Sequence, residues 1–286
     1  RAVLFITHKL EEVLAVADQI SILRRGRVVA SVKPDEIRSK RELARLMVGR
    51  EIVLKVDKEE SVPGEMVLET SGLSGMGEKG RLAFADVSLA VRRGEILSVV
   101  GVAGNGQAAL AAGLAGLLPL KDGRITFNGR SYRAADWSRS RPAGLAYVPE
   151  ERYTTGSIGA MSLTDNFILT RSSHYVHQGL LDLKAARQDT VQAIEAFGIV
   201  AHGPETQAGH LSGGNLQKLI LARELARGPD LFIAEQPTQG LDIKATEDVW
   251  HSLLQARTKS AVLLFTGDLR ERSEERRVGK ECRSRW

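Results

Sequence analysis

Only one cysteine, Cys282, occurs in the 286 residues, so no disulfide can form within the chain and a zinc cage of cysteine thiolates is excluded. Aromatic residues amount to 5% of the sequence. Long apolar runs are also missing: stretches such as residues 261–265 fall far short of the roughly 20 residues that a membrane-spanning helix needs. Neither sign of charge dominates, since 40 Lys and Arg face 35 Asp and Glu, a net charge of +5. A basic excess of that kind suits nucleic acid or an anionic surface as a partner. What remains is ordinary for a globular protein, with 26% charged and 43% hydrophobic residues. The length corresponds to roughly two domains, and a chain this long buries a full core without metal or disulfide staples.

Both ends read unlike the rest. Arg1, not methionine, opens the chain, directly ahead of an apolar run at 2–6 that reads as a buried strand. Residues 272–286 carry no apolar periodicity and resemble the conceptual translation of a sequencing adapter. They hold six Lys or Arg and three Asp or Glu, so three of the five excess positive charges fall there. The expectation is a gene fragment with a non-native tail, whose remaining charge gives little reason to expect nucleic acid.

Along the chain, residues 9–18 carry a helical pattern, 19–23 and 27–32 read as two strands around Arg25-Gly26, and 34–49 is again helical. Residues 51–64 are charged, end in Pro63-Gly64 and read as a linker. A second pattern follows, with strands of an antiparallel sheet at 66–69 and 81–91. An apolar strand at 95–100 leads through a glycine-rich turn into a helix over 110–117. Further strands are expected at 144–148, 231–234 and 261–265, and helices at 163–197, 216–226 and 245–257. Strands alternating with helices predict an α/β fold with a mainly parallel sheet covered on both faces.

Two segments carry chemistry. Residues 101–108, G-V-A-G-N-G-Q-A, have the glycine frame of a phosphate-binding loop, with Gly101, Gly104, Asn105 and Gly106 ahead of a helix. Glycines let backbone N–H groups turn toward phosphate, and the helix adds its positive end. Gln107 stands where such a loop has lysine, and Ala108 where it has the hydroxyl that ligates Mg²⁺. An unrelated α/β domain with a glycine-rich turn also accounts for this stretch taken alone. The second segment is Leu211, Ser212, Gly213, Gly214 and Asn215, ahead of a helix that Ser212 is placed to cap. An apolar strand then ends in Glu235, Gln236, Pro237 and Thr238, followed by Gly240, Leu241 and Asp242.

In this order the motifs resemble those of ATP-binding-cassette (ABC) ATPases, over about residues 65–271. The resemblance implies a phosphate-loop fold of ABC type: a mainly parallel core, an antiparallel β subdomain, and a helical subdomain at about 154–211 that contacts membrane subunits. Residues 5–12, F-I-T-H-K-L-E-E, resemble the switch-histidine segment at the end of such a domain, with His8 as the histidine. A histidine placed after a strand for structural reasons alone is the other reading. Residues 1–50 would be the tail of a first cassette, 51–64 a linker, and 65–271 a second cassette. The motif style is similar to the second cassette of tandem importers for simple sugars and purine nucleosides.

The resemblance further implies ATP and Mg²⁺ as cofactors. Glu150, in Y-V-P-E-E-R at 147–152, takes the lid-loop glutamine position, Glu235 the Mg²⁺-associated aspartate and Gln236 the catalytic glutamate. Gly267 stands at the switch histidine. Glu235 and Glu150 are the nearest to metal-associated residues, and no firm metal ligand set emerges. A glutamine orients water but cannot take a proton as a carboxylate base does. Because paired cassettes sandwich each ATP between the phosphate loop of one and the L-S-G-G of the other, all departures fall in one site, while 211–214 would complete the opposite one. The expected partners are two permease subunits, an extracytoplasmic substrate-binding protein and, within the molecule, the first cassette, at the cytoplasmic face of the bacterial inner membrane. A tandem ABC ATPase acting on nucleic acid or the ribosome is the alternative, and a regulatory nucleotide-binding domain a third.

Overall fold

The computed structural model of the chain describes residues 2–7, 10–24, 26–37, 39–49, 61–77, 81–101, 104–140 and 142–267. His8, most of the 51–64 linker and the 272–286 tail, with Cys282, lie outside the described residues.

A small N-terminal unit comes first. Helix α1 (Leu10–Val16) leads to an antiparallel hairpin of β1 (Ile20–Arg24) and β2 (Arg27–Val32), then to α2 (Lys40–Val48). Ser39 caps α2 by accepting a hydrogen bond from the Glu42 N–H at 3.2 Å, and Gly49 ends it in the left-handed region at φ 87°. Leu10, Ile20, Ile22, Leu43 and Ala44 form its buried core. Residues 2–6 correct the expectation of a buried strand: they form no strand, and Val3 and Ile6 are 88% and 96% exposed. No described strand pairs with them, and an apolar run without ladder partners has neither its backbone bonds nor a covered face.

Strand β3 (Met66–Met76) pairs with β4 (Leu82–Arg92) and, on its other side, with a strand that follows the first core helix. Next come β5 (Ile96–Val100) and α3 (Gln107–Leu114), then β6 (Leu120–Phe127), β7 (Arg130–Arg133) and α4 (Ala134–Ser140). One sheet is antiparallel, in the order β4-β3-β6-β7. The sequence pattern predicts β3, shorter than observed, and β4, offset by one residue, and lacks β6, β7 and α4. Trp137 on α4 is fully buried, donates its indole N–H to the Leu114 carbonyl at 2.9 Å and meets Phe127 and Tyr132 edge-on.

Beyond β8 (Leu145–Val148) lie α5 (Leu163–Ile168), a two-residue hairpin of β9 (Val176–His177) and β10 (Leu180–Leu181), and α6 (Leu183–Ala196). The stretch 163–197, expected to be mostly helical, is two helices with a hairpin between them. Tyr175, just ahead of the hairpin, is buried and donates to Asp189 at 2.8 Å. The chain then forms α7 (Gly213–Leu225), β11 (Leu231–Glu235), α8 (Ile243–Arg257) and β12 (Ala261–Thr266).

Strands β5, β12, β11 and β8 make the second sheet, in that order and parallel throughout. Its faces follow the two-residue period of a strand. Leu231, Ile233, Leu263 and Phe265 point into one core with α3 and the antiparallel sheet. Phe232, Ala234, Val262 and Leu264 point into another with α5 through α8. Full burial of such side chains contributes about 1.5–3 kcal/mol each. At the amino end of this sheet, Asp230 accepts hydrogen bonds from Arg93 at 2.7 Å and Asn128 at 3.0 Å, holding the two sheets together. The carboxyl ends are left to the loops that carry the motifs.

Candidate nucleotide-binding site

The glycine-rich loop follows β5. Gly104 and Gly106 have φ of 94° and 87°, and Gly106 is the N-cap of α3. A Cβ on Gly106 would run into the Ala83 carbonyl oxygen of β4, so the position needs glycine for space as well as for conformation. Asn105 and Ala108 are exposed. No side chain caps α3, which leaves its first-turn N–H groups available to an anion. Gln107, its first residue, folds back over the loop: a Cβ on Gly101 would lie 2.5 Å from the Gln107 amide nitrogen.

Parallel register brings the carboxyl ends of β5, β12 and β11 side by side, with Thr266 opposite Val100 and Glu235 opposite Phe265. Gln236, the next residue, sits at φ 43°, an uncommon conformation for a residue with a side chain. It is held there by its N–H on the Phe265 carbonyl at 2.8 Å. Its side-chain Oε1 accepts the Gly267 N–H at 3.2 Å. Gly101, Gln107, Gln236 and Gly267, read from sequence as one site, thus gather at one edge of the sheet.

Glu235 lies beside them with 5% of its surface exposed. Its Oε2 accepts the Tyr147 hydroxyl at 2.6 Å across the end of β8. Burial pushes the Glu235 carboxyl above its ordinary range; the Glu150 charge adds to this, while the Tyr147 hydroxyl and the Glu150 backbone work against it. Burial, and next its bond to Glu235, also raise the Tyr147 hydroxyl. Sequence reasoning gave Tyr147 no role; its place at the end of a strand opposite an acidic residue was the available signal.

A second group forms at the start of α7. Leu211 is buried, while Ser212 is exposed at the N-cap position. Contrary to expectation the Ser212 hydroxyl caps nothing; it accepts the Asn215 amide at 3.0 Å, and Asn215 in turn accepts the Val200 N–H at 2.9 Å. Glycine is required at 214 because a Cβ there would come 2.9 Å from the Ala245 methyl group on α8. Asp242 caps α8, accepting the Ala245 N–H at 2.8 Å.

Arg152 joins the two groups, and it too was passed over in the sequence. Its guanidinium donates to the Gly213 carbonyl at 3.3 Å and to the Gln239 carbonyl, while its own carbonyl accepts the Ser157 hydroxyl at 2.7 Å. The Gln239 N–H is bonded to the Gln236 carbonyl at 3.0 Å, which completes a path from the start of α7 to the sheet edge. Burial holds the Arg152 guanidinium below its ordinary value.

A parallel sheet whose first strand runs through a left-handed glycine turn into an uncapped helix, with polar side chains at the carboxyl ends of its strands, defines a phosphate-loop nucleotide-binding domain. The chain belongs to the ABC transporter family, whose model matches residues 65–239. It is 41% identical over 275 residues to the glucose import ATP-binding protein TsgD13 of Haloferax volcanii, covering 94% of this chain and 50% of that one. It is 36% identical to the nucleoside import ATP-binding protein NupA of Lactococcus lactis, covering 95% and 54%. The chain thus spans about half the length of these relatives. An ATP-binding subunit of an ABC transporter matches in structure with a TM-score of 0.57 and 25% identity, over 71% of this chain and 80% of its own. A dimeric bacterial ABC transporter cassette has the same fold, with a TM-score of 0.59 at 21% identity over 71% and 88% of the two chains. Among the described residues no helix is long and apolar enough to cross a membrane.

Proposed function

We propose that this chain is part of the ATP-binding, energy-coupling subunit of an ABC importer for simple sugars or nucleosides. The relatives named for glucose and nucleoside import support the substrate class. In this reading residues 1–50 end a first cassette, 51–64 link it to the second cassette at 65–271, and 272–286 is foreign. The subunit docks on two permease subunits at the cytoplasmic face of the inner membrane and serves an extracytoplasmic binding protein.

Within the pair, the site of the second cassette binds nucleotide and does little chemistry. The observation that carries this is Gln236, a neutral side chain engaged with the Gly267 N–H where a proton acceptor would be needed. Backbone N–H groups of the glycine turn and of α3 hold phosphate, but Gln107 brings no positive charge to it. Mg²⁺ does not fit this site: Ala108 has no hydroxyl, the Glu235 carboxylate is buried and bonded to Tyr147, and no cluster of three or more His, Cys, Asp or Glu suited to a metal exists among the described residues. The exposed Ser212, with Gly213 and Gly214, instead completes the site of the first cassette, where His8 contacts the terminal phosphate. Nucleotide binding closes the pair, hydrolysis in the first cassette's site opens it, and the permease converts that motion into uptake.

The test uses the full-length protein with its permease. Ser212→Arg is expected to abolish ATP turnover and Gln107→Ala to lower it far less. The reverse ranking would sink the assignment, as would robust turnover by residues 1–271 alone.

A further inference from the structure

We propose that the site on this chain binds its nucleotide without a divalent cation and without distinguishing ATP from ADP. The inference rests on the reading of the glycine turn as a nucleotide site and adds what that site recognises.

Recognition of a terminal phosphate by such a loop draws on a cation or a metal ion, and each route is closed here by a different contact. The first residue of α3, Gln107, is neutral and lies back over Gly101. Ala108 offers no oxygen. Glu235, the carboxylate closest to the strand ends, has one oxygen committed to the Tyr147 hydroxyl at 2.6 Å and sits 5% exposed. A metal would have to reach the other oxygen of a side chain that the fold leaves 5% exposed, with little room for the waters that complete its coordination. Gln236 has its amide oxygen on the Gly267 N–H at 3.2 Å, so it too is occupied.

What is left is backbone: the left-handed turn at Gly104 and Gly106 and the uncapped first turn of α3. Backbone N–H groups grip the phosphates nearest the nucleoside, which ATP and ADP share, and they do so whether or not a metal is bound. The ligand class is therefore a metal-free nucleoside diphosphate or triphosphate.

Isothermal titration of the 286-residue chain with ATP and with ADP, each in excess MgCl₂ and in EDTA, tests this directly. All four dissociation constants are expected to agree within about threefold. Affinity tighter by about tenfold or more in MgCl₂, or for ATP over ADP, overturns the proposal while leaving the nucleotide site standing. Absence of binding in every buffer overturns the nucleotide reading and the proposal with it. One variant adds a gain. Gln107→Lys supplies the missing cation and is expected to favour ATP over ADP by about tenfold, the effect of one charge-assisted bond. Failure of Gln107→Lys to shift this ratio, with nucleotide still bound, overturns the mechanism.

Discussion

Removing the Arg152 guanidinium should loosen the start of α7 and the turn after β11 together. The side chain spans two loops, donating to the Gly213 carbonyl at 3.3 Å and to the Gln239 carbonyl. No carboxylate forms an ion pair with it among the described residues, so its value lies in those two charge-assisted bonds. Such a bond is worth about 1.5–3 kcal/mol when dry. Arg152 is half-buried, and water can replace part of what is lost, most readily at the exposed Gln239 side. Arg152→Ala is therefore expected to cost about 1–3 kcal/mol in all. Urea unfolding measures it as a fall in the midpoint at unchanged slope, and amide exchange should quicken at both 212–214 and 239–242. Arg152→Lys should recover less than half, because a single ammonium cannot span two carbonyls as a planar fork does. A loss below about 0.5 kcal/mol, or faster exchange in one segment only, would refute the bridging role.

Two further outcomes follow from the geometry. Gly214→Ala should destabilise by about 1–2 kcal/mol despite the better helix propensity of alanine, since its Cβ would press on Ala245 at 2.9 Å; a gain in the urea midpoint would show that α7 and α8 separate freely. Glu235, with its folded-state value raised, binds its proton more tightly folded than unfolded; that stability is complete below the usual carboxylate range and is lost as pH rises through the raised value. Glu235→Gln should therefore gain on the wild type in urea unfolding as pH rises above the usual carboxylate range, and a trend in the opposite direction would refute the sign.

The parallel sheet was legible because its strands are short continuous apolar runs closed by glycine or acidic residues, and β5, β8, β11 and β12 fall within two residues of expectation. Strand β6, L-K-D-G-R-I-T-F, was not, since four consecutive residues after Leu120 are exposed and the alternation appears only at its end. The hairpin of β9 and β10 is two residues per strand, too short for any period to register. Over-reading at 2–6 has the converse cause: apolar composition signals burial only when other elements supply the cover. In the site, glycines and acidic residues were readable because their spacing is local. Tyr147 and Arg152 were not, because their partners lie 88 and 87 residues away and only the fold brings them together.

An intact motif is a weak guide to function wherever its residues have packing duties of their own. Leu211 is buried, Gly214 is forced by Ala245, and Asn215 ties the start of α7 to the Val200 backbone. Each would be needed in a cassette that had no partner. Ser212 differs. It is exposed, it makes no capping bond, and its hydroxyl serves only as acceptor for the Asn215 amide among the described residues. A serine that capped α7 would be explained by about 1 kcal/mol of helix stability; this one is not. Ser212→Arg replaces an exposed side chain without entering the core, so a loss of turnover there reports on what α7 presents to a second cassette. The same loss at Gly214 would report on folding. That separation is why the proposed pairing stands or falls on Ser212.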